Sequence, residues 1–187
     1  MNGHQRQQEI SRHMIEDAFF MLLGREPYER ITVSEIADKA EVSRRTFYRL
    51  YGGKEEVLRN WLERLCEEYR TGYPALEKYD IRQISMDYFQ FWYRHRERLL
   101  LMHKNGLGLY ILYYATGHLS HRVMEKRIGE ERAGSRSQAE YFMEYSAGGF
   151  GNLLFRWLET GMKESPQEYA VSVSNSICRI LSPSVET

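Results

Sequence analysis

Residues 31–58 read ITVSEIADKAEVSRRTFYRLYGGKEEVL. Thr32 followed three positions later by Glu35 fits a capping box, in which hydroxyl and carboxylate each satisfy an orphan helix amide. Ile36, Ala37 and Ala40 then give a buried face. That helix can only be short, because Ser43 is a second N-cap candidate and opens another helix over about Arg44 to Tyr51. Gly52 and Gly53 end it, and a long helix starts at Lys54. Helices of about two turns are marginal alone in water, since nucleation costs more than so few hydrogen bonds return. They need cover from neighbours. The spacing predicts one cover helix over Gln5 to Leu23, with Ile10, Met14, Ile15, Ala18, Phe19, Leu22 and Leu23 as its stripe. A second runs over Lys54 to Gly72, with Val57, Leu58, Trp61, Leu62, Leu65 and Tyr69. Ala37 is small where the two short helices cross, and Val42 points back into the mini-core.

This is a helix-turn-helix pattern, whose second helix is presented to a DNA major groove. The charges bear on that reading in two opposite ways. The 187 residues carry 26 basic and 26 acidic side chains, a formal net charge of zero, which by itself argues against nucleic acid. Residues 1–60 are also balanced. Yet residues 43–54 contain Arg44, Arg45, Arg49 and Lys54 and no acid. Such placed cations suit phosphates, and Ser43, Thr46 and Tyr48 add hydroxyls. Lys54 begins a helix, so its ammonium and amides could meet one phosphate together.

Outward from this segment the chain stays helical. Asp80 can cap a helix over about Ile81 to His95, short helices flank Asn105-Gly106, and another reaches about Arg127. Residues 129–138 read as an exposed loop. Two last helices cover about Ser137 to Gly161 and Pro166 to Leu181, for a total of about nine and an all-α fold. With 42% hydrophobic residues the chain can bury a real core. Cys66 and Cys178 form no CxxC pair, so they read as buried free thiols in a reducing cytosol. Met1 to Arg12 is polar, with no signal-peptide core. No apolar run reaches the roughly 18 residues of a membrane span, Gly106 to Thr116 being the longest candidate. The expectation is a soluble cytoplasmic protein with no membrane partner.

The 31–58 string, with its Thr46-Phe47-Tyr48 core and later Gly53-Lys54-Glu55, resembles the DNA-binding domain of TetR/AcrR-type transcriptional regulators, over roughly residues 8–60. Residues 148–166 (GGFGNLLFRWLETGMKESP) are similar to a branch common in Gram-positive bacteria. The resemblance implies a DNA-binding domain at residues 1–53 and an effector-binding and dimerisation domain at 54–187. It further implies a homodimer on a palindromic double-stranded operator, and a repressor that a small molecule releases. Thr32, Ser43, Arg44, Arg45, Thr46, Tyr48, Arg49 and Lys54 fall on family DNA-contact positions, with Phe47 turned inward. Arg44 or Arg45 could read guanine, while Tyr48 and Lys54 hold phosphates. Glu41 departs from the family glycine, at a cost of about 1–2 kcal/mol if that residue is left-handed. Leu50 departs from a histidine or tyrosine, so no phosphate contact is carried to it.

For the C-terminal part, the resemblance implies a pocket for an apolar or aromatic effector. Tyr88, Phe89, Trp92, Tyr110, Tyr113, Tyr114, Phe142, Tyr145 and Phe150 could line it, or could pack as a core without a cavity. Gly149, Leu153, Trp157, Val173, Ile177, Ile180 and Leu181 suggest a four-helix dimer bundle, or packing within the subunit. Gly148, Gly149 and Gly151 would allow close helix approach. His118 and His121, with His95 and His103 nearby, lack the further ligands of a metal site. No cofactor motif and no catalytic constellation is found, and Glu140 with Glu144 reads as a solvated helix face. The other function consistent with the pattern is a co-activator or adaptor acting through a protein partner.

Overall fold

The computed structural model describes residues 3–72, 80–118 and 136–181. Among these lie nine α-helices. They are α1 (Gly3–Leu23), α2 (Val33–Lys39), α3 (Arg44–Leu50), α4 (Lys54–Gly72), α5 (Ile81–Arg94), α6 (Arg96–Lys104), α7 (Gly108–Tyr113), α8 (Arg136–Glu159) and α9 (Pro166–Leu181). A 3-10 turn spans Tyr28–Arg30, and a π-helical turn, Tyr114–His118, continues α7. No strand occurs among the described residues. The helix expected to reach Arg127, most of the 129–138 loop, and His121 lie outside them.

The N-terminal head forms as the caps dictate. Thr32 Oγ1 accepts from Glu35 N at 3.3 Å while Glu35 Oε2 accepts from Thr32 N at 2.8 Å, a complete capping box. These bonds hold the Glu35 carboxyl below its ordinary range. Ser43 Oγ accepts from Thr46 N at 3.0 Å and starts α3. Between the helices, Val42 N donates to Ala37 O (3.0 Å) and Glu41 N to Asp38 O (3.1 Å), with Glu41 at φ +53°. This is a Schellman stop with a non-glycine residue in the left-handed position. Ile15, Phe19, Ile36, Ala37, Phe47, Leu58 and Leu62 are fully enclosed. The α1 stripe differs from expectation: Ile10 and Met14 are exposed, whereas Ser11, Ile15, Glu16, Ala18, Phe19 and Leu23 are buried. The inward face is turned by about one residue and carries Glu16 to Tyr51, just after α3, and to Arg64 of α4.

The C-terminal half is built on α5, which Asp80 caps by accepting from Arg82 N (2.9 Å). Phe89 of α5 sits edge-on to Trp157 of α8 and Tyr169 of α9. Trp157 stacks on Tyr169 at 4.8 Å and 7°. Where α8 crosses the π-turn, a Cβ on Gly151 would stand 2.1 Å from Thr116 Cγ2, so only glycine permits the approach. Gly148 and Gly149 face open space instead, contrary to the close approach expected of them. Cys66 is buried, donates to Tyr114 O at 3.7 Å and has its thiol pKa pushed up to about 12 by burial. Cys178 is only half-buried, so the pair of buried thiols is corrected to one. No helix among the described residues is long and apolar enough to cross a membrane.

The residues assigned to a dimer bundle divide. Trp157 and Val173 are buried inside the subunit, against α5 and its neighbours, and have no surface to offer a partner. Leu153 and Ile177 are half-buried against the same core. Gly149 and Ile180 are exposed, and the Leu181 side chain lies outside the description. The outward face of α8 presents Tyr141 and Tyr145, and that of α9 presents Val171, while Ile180 is exposed on the opposite flank of α9. A helix that packs on α5 through one apolar side must turn the opposite side outward, which reverses part of the expected assignment.

Candidate nucleic-acid interface

Helix α3 has two distinct sides. Phe47 and Leu50 are buried and fasten it to the head, while Arg44, Arg45, Tyr48 and Arg49 are exposed. No ion pair or side-chain hydrogen bond among the described residues engages Arg44, Arg45 or Arg49. Three guanidiniums, each a fixed fork of donors, therefore project from about two turns of helix with nothing to neutralise them. Tyr48 keeps its ring edge on Phe47 (5.7 Å), which orients the phenol outward. Ser43 and Thr46 hydroxyls lie 2.9 Å apart, and Thr32 Oγ1 donates to Glu35 Oε2 at 2.6 Å. These three hydroxyls are committed first to capping.

Lys54 is not placed as expected. Its Nζ donates to Tyr28 O (2.7 Å), Ile31 O (2.9 Å) and Glu29 O (3.3 Å). It also stands 4.3 Å from the centre of the Tyr28 ring. All three ammonium protons face the 3-10 turn rather than solvent. Nor is the start of α4 receptive to a phosphate. Glu55 and Glu56 occupy its first turn, and Glu56 Oε2 already accepts from Gly52 N at 2.6 Å. The expected joint contact by ammonium and amides is corrected on this geometry.

Residues that sequence reading passed over hold the interface in place. Glu16 of α1 is 1% exposed and accepts from Tyr51 Oη (3.0 Å) and from both terminal nitrogens of Arg64 on α4. Burial and the Glu16 carboxylate raise the Tyr51 hydroxyl pKa. Arg12 lies over the Tyr51 ring at 5.0 Å and donates to Leu50 O (3.3 Å), a cation at the C-terminal end of α3. A second tie joins the head to α6. Asn105 accepts from Tyr28 N (3.1 Å) and donates to Leu23 O (3.2 Å), while Arg98 pairs with Asp17. These partners lie 35 to 82 residues apart, so no local pattern announces them.

The aromatic residues assigned to an effector pocket also separate. Tyr88, Phe89, Trp92, Tyr114 and Phe150 are buried, with Tyr88 and Phe89 both in ring contact with Phe150. The Tyr88 O–H and the indole N–H of Trp157 meet no hydrogen-bond acceptor among the described residues, while the Trp92 indole lies against the Tyr88 oxygen. Tyr110, Tyr113 and Tyr145 are exposed and line no interior space, and the Phe142 side chain lies outside the description. No group of three metal-ligating side chains occurs among the described residues.

Comparison with known proteins agrees with the geometry. Residues 15–60 match the family described as bacterial regulatory proteins, tetR family, and residues 79–178 match a transcriptional regulator C-terminal region. An uncharacterised HTH-type transcriptional regulator of Bacillus subtilis (strain 168), YxbF, is 37% identical over 59 residues. That stretch is 31% of this chain and 16% of the relative's length. Among solved structures, the dihydroxyacetone kinase operon activator DhaS superposes with a TM-score of 0.61 at 18% identity, over 91% of this chain and 97% of its own. The fatty acid degradation regulator FadR of Bacillus halodurans superposes at 0.60 and 18% identity, over 95% and 97%. Both likenesses are of fold. The family is one of regulators and not of enzymes. The exposed arginine helix, the paired caps and both matched regions lead to one conclusion: the chain belongs to the tetR family of bacterial transcriptional regulators.

Proposed function

We propose that this regulator acts as a cytoplasmic homodimeric repressor, one α3 helix of each subunit entering a major groove of a palindromic operator. The observation that supports it most directly is the set of unneutralised guanidiniums of Arg44, Arg45 and Arg49 on a helix locked from behind by Phe47. Thr32, Ser43, Thr46 and Tyr48 stand beside them as polar neighbours, Tyr48 with its phenol outward. The dimer face proposed is the outward side of α8 and α9, with Tyr141, Tyr145 (81% exposed) and Val171 at its centre. An apolar or aromatic effector that carries an acceptor is the proposed releasing signal, supported by the buried donors of Tyr88 and Trp157. The test is operator selection from random duplexes, followed by affinity measured against salt. A dimeric complex whose log affinity falls by about 0.9 per phosphate contact for each tenfold rise in salt is expected, and Arg44→Ala with Arg45→Ala should abolish selection. Binding without a salt slope would refute the reading. A second reading, an activator that works through a protein partner, draws on exposed Leu109, Tyr110 and Tyr113 of α7. A footprint that required a second protein would favour it.

A further inference from the structure

The ammonium of Lys54 is bonded to three backbone carbonyls of its own head. Three carbonyls converge on it from one side, at 2.7, 2.9 and 3.3 Å, and the Tyr28 ring closes another. The carbonyls belong to Tyr28, Glu29 and Ile31, the residues that lead directly into the Thr32 cap of α2. The opposite side of the same segment is held by Asn105, through Tyr28 N at 3.1 Å and Leu23 O at 3.2 Å. The approach to α2, whose Ile31 is packed in the core, is thus also clamped between α4 and the end of α6 by polar side chains. Helix α3 follows α2 through a single Schellman stop and packs on its buried face, so the entry angle of α2 sets the direction in which Arg44, Arg45 and Arg49 point.

We infer that Lys54 is a positioning residue of the DNA-binding head, fixing the entry of α2 and hence the aim of α3, and that it neutralises no DNA phosphate. Its ammonium substitutes for the small cation that three convergent carbonyls and a ring face would otherwise recruit. A guanidinium cannot replace it, because a planar fork cannot point three donors at carbonyls arranged around one centre. The consequence for DNA rests on the proposed operator binding; the clasp itself does not.

The experiment uses the full chain, with Lys54→Met, Lys54→Arg and Arg45→Ala beside the parent protein and a duplex selected by the parent. Lys54→Met is expected to lose about tenfold or more of its operator affinity at every salt concentration between about 50 and 200 mM, with the parent's salt slope unchanged. Lys54→Arg should lose about as much. Affinity for random duplex should stay as in the parent, which partial unfolding would not allow. A slope lowered by about 0.9 per Lys54 removed, or full rescue by arginine, would overturn the inference in favour of a phosphate contact. In the free protein, amide hydrogen exchange at Arg30 and Ile31, whose N–H groups bond within the 3-10 turn, should quicken at least about tenfold in Lys54→Met. Unchanged exchange there overturns the clasp. If the parent selects no duplex while exchange quickens, the operator reading fails and the clasp stands.

Discussion

Two buried tyrosines show how differently the halves of this molecule are made. Tyr51 closes α3 and Tyr88 lies in α5, and they are 1% and 5% exposed. The Tyr51 hydroxyl donates to Glu16, which Arg64 holds from the other side, and Arg12 covers the ring. The Tyr88 hydroxyl meets no acceptor among the described residues, and its ring is held by Tyr69, Phe89 and Phe150. Directional bonds make the head a single rigid unit, because each fixes an angle as well as a distance. The buried aromatic groups of the C-terminal core are held chiefly by ring contacts, which are individually weak.

The largest test of that contrast is Phe47→Ala. The side chain is enclosed at the centre of the head, and its removal should cost about 3–5 kcal/mol, read by urea titration, with operator binding lost in parallel. The pair Tyr51→Phe and Tyr88→Phe addresses the comparison directly. The first leaves a buried carboxylate short of a donor and should cost about 1.5–3 kcal/mol; the second removes an unsatisfied hydroxyl and should be neutral or slightly stabilising. Equal losses from both would erase the distinction between the halves. Glu41→Gly should stabilise the head by about 1 kcal/mol, since glycine relieves the left-handed strain at φ +53° and gives back part of the gain as chain entropy. A loss of stability there would mean that the Glu41 side chain holds the turn.

The smallest effect is a pH dependence in the C-terminal half. Burial lowers the His95 pKa, with Arg94 and Arg98 acting the same way and Glu68 opposing. The unfolded chain takes up the proton near its ordinary value of about 6.5 while the folded chain does not. Stability is therefore lost as pH falls from about 6.5 towards the folded value, and it is unaffected above. His95→Gln should flatten that part of a melting-temperature profile measured between about pH 5 and 7. An unchanged profile would move the dependence to other groups.

Much of the head was legible because its signals are local. The Thr32–Glu35 box, the Ser43 cap and the break after Tyr51 each lie within one helical turn, and the structure places them at the expected residues. A box of the same kind at Ser165 and Glu168, with Pro166 in the first turn of α9, was equally readable and passed unnoticed. Lys54 was misread for a physical reason. A cation at a helix start beside two arginine-rich turns has the signature of a phosphate ligand, and only the folded path of residues 28–31 brings three carbonyls to its ammonium. Trp157 and Val173 fall under the packing alternative, since an apolar residue carries no mark of whether its cover is its own chain or a second copy.

The amino-acid sequence by itself determined the helical class, the two caps, the tight turn at Glu41 and the acid-free basic run on α3, because each depends on neighbours within a few residues. It also showed that a neutral chain can hold a cationic face. Tertiary structure alone decided which charges stay free. Glu16 was drawn inward to Arg64 and Tyr51, Lys54 was turned onto the backbone, and Arg44, Arg45 and Arg49 were left in solvent. Whether a charge is neutralised depends on what the fold brings within about 4 Å of it, and that distance is set by chain segments tens of residues away.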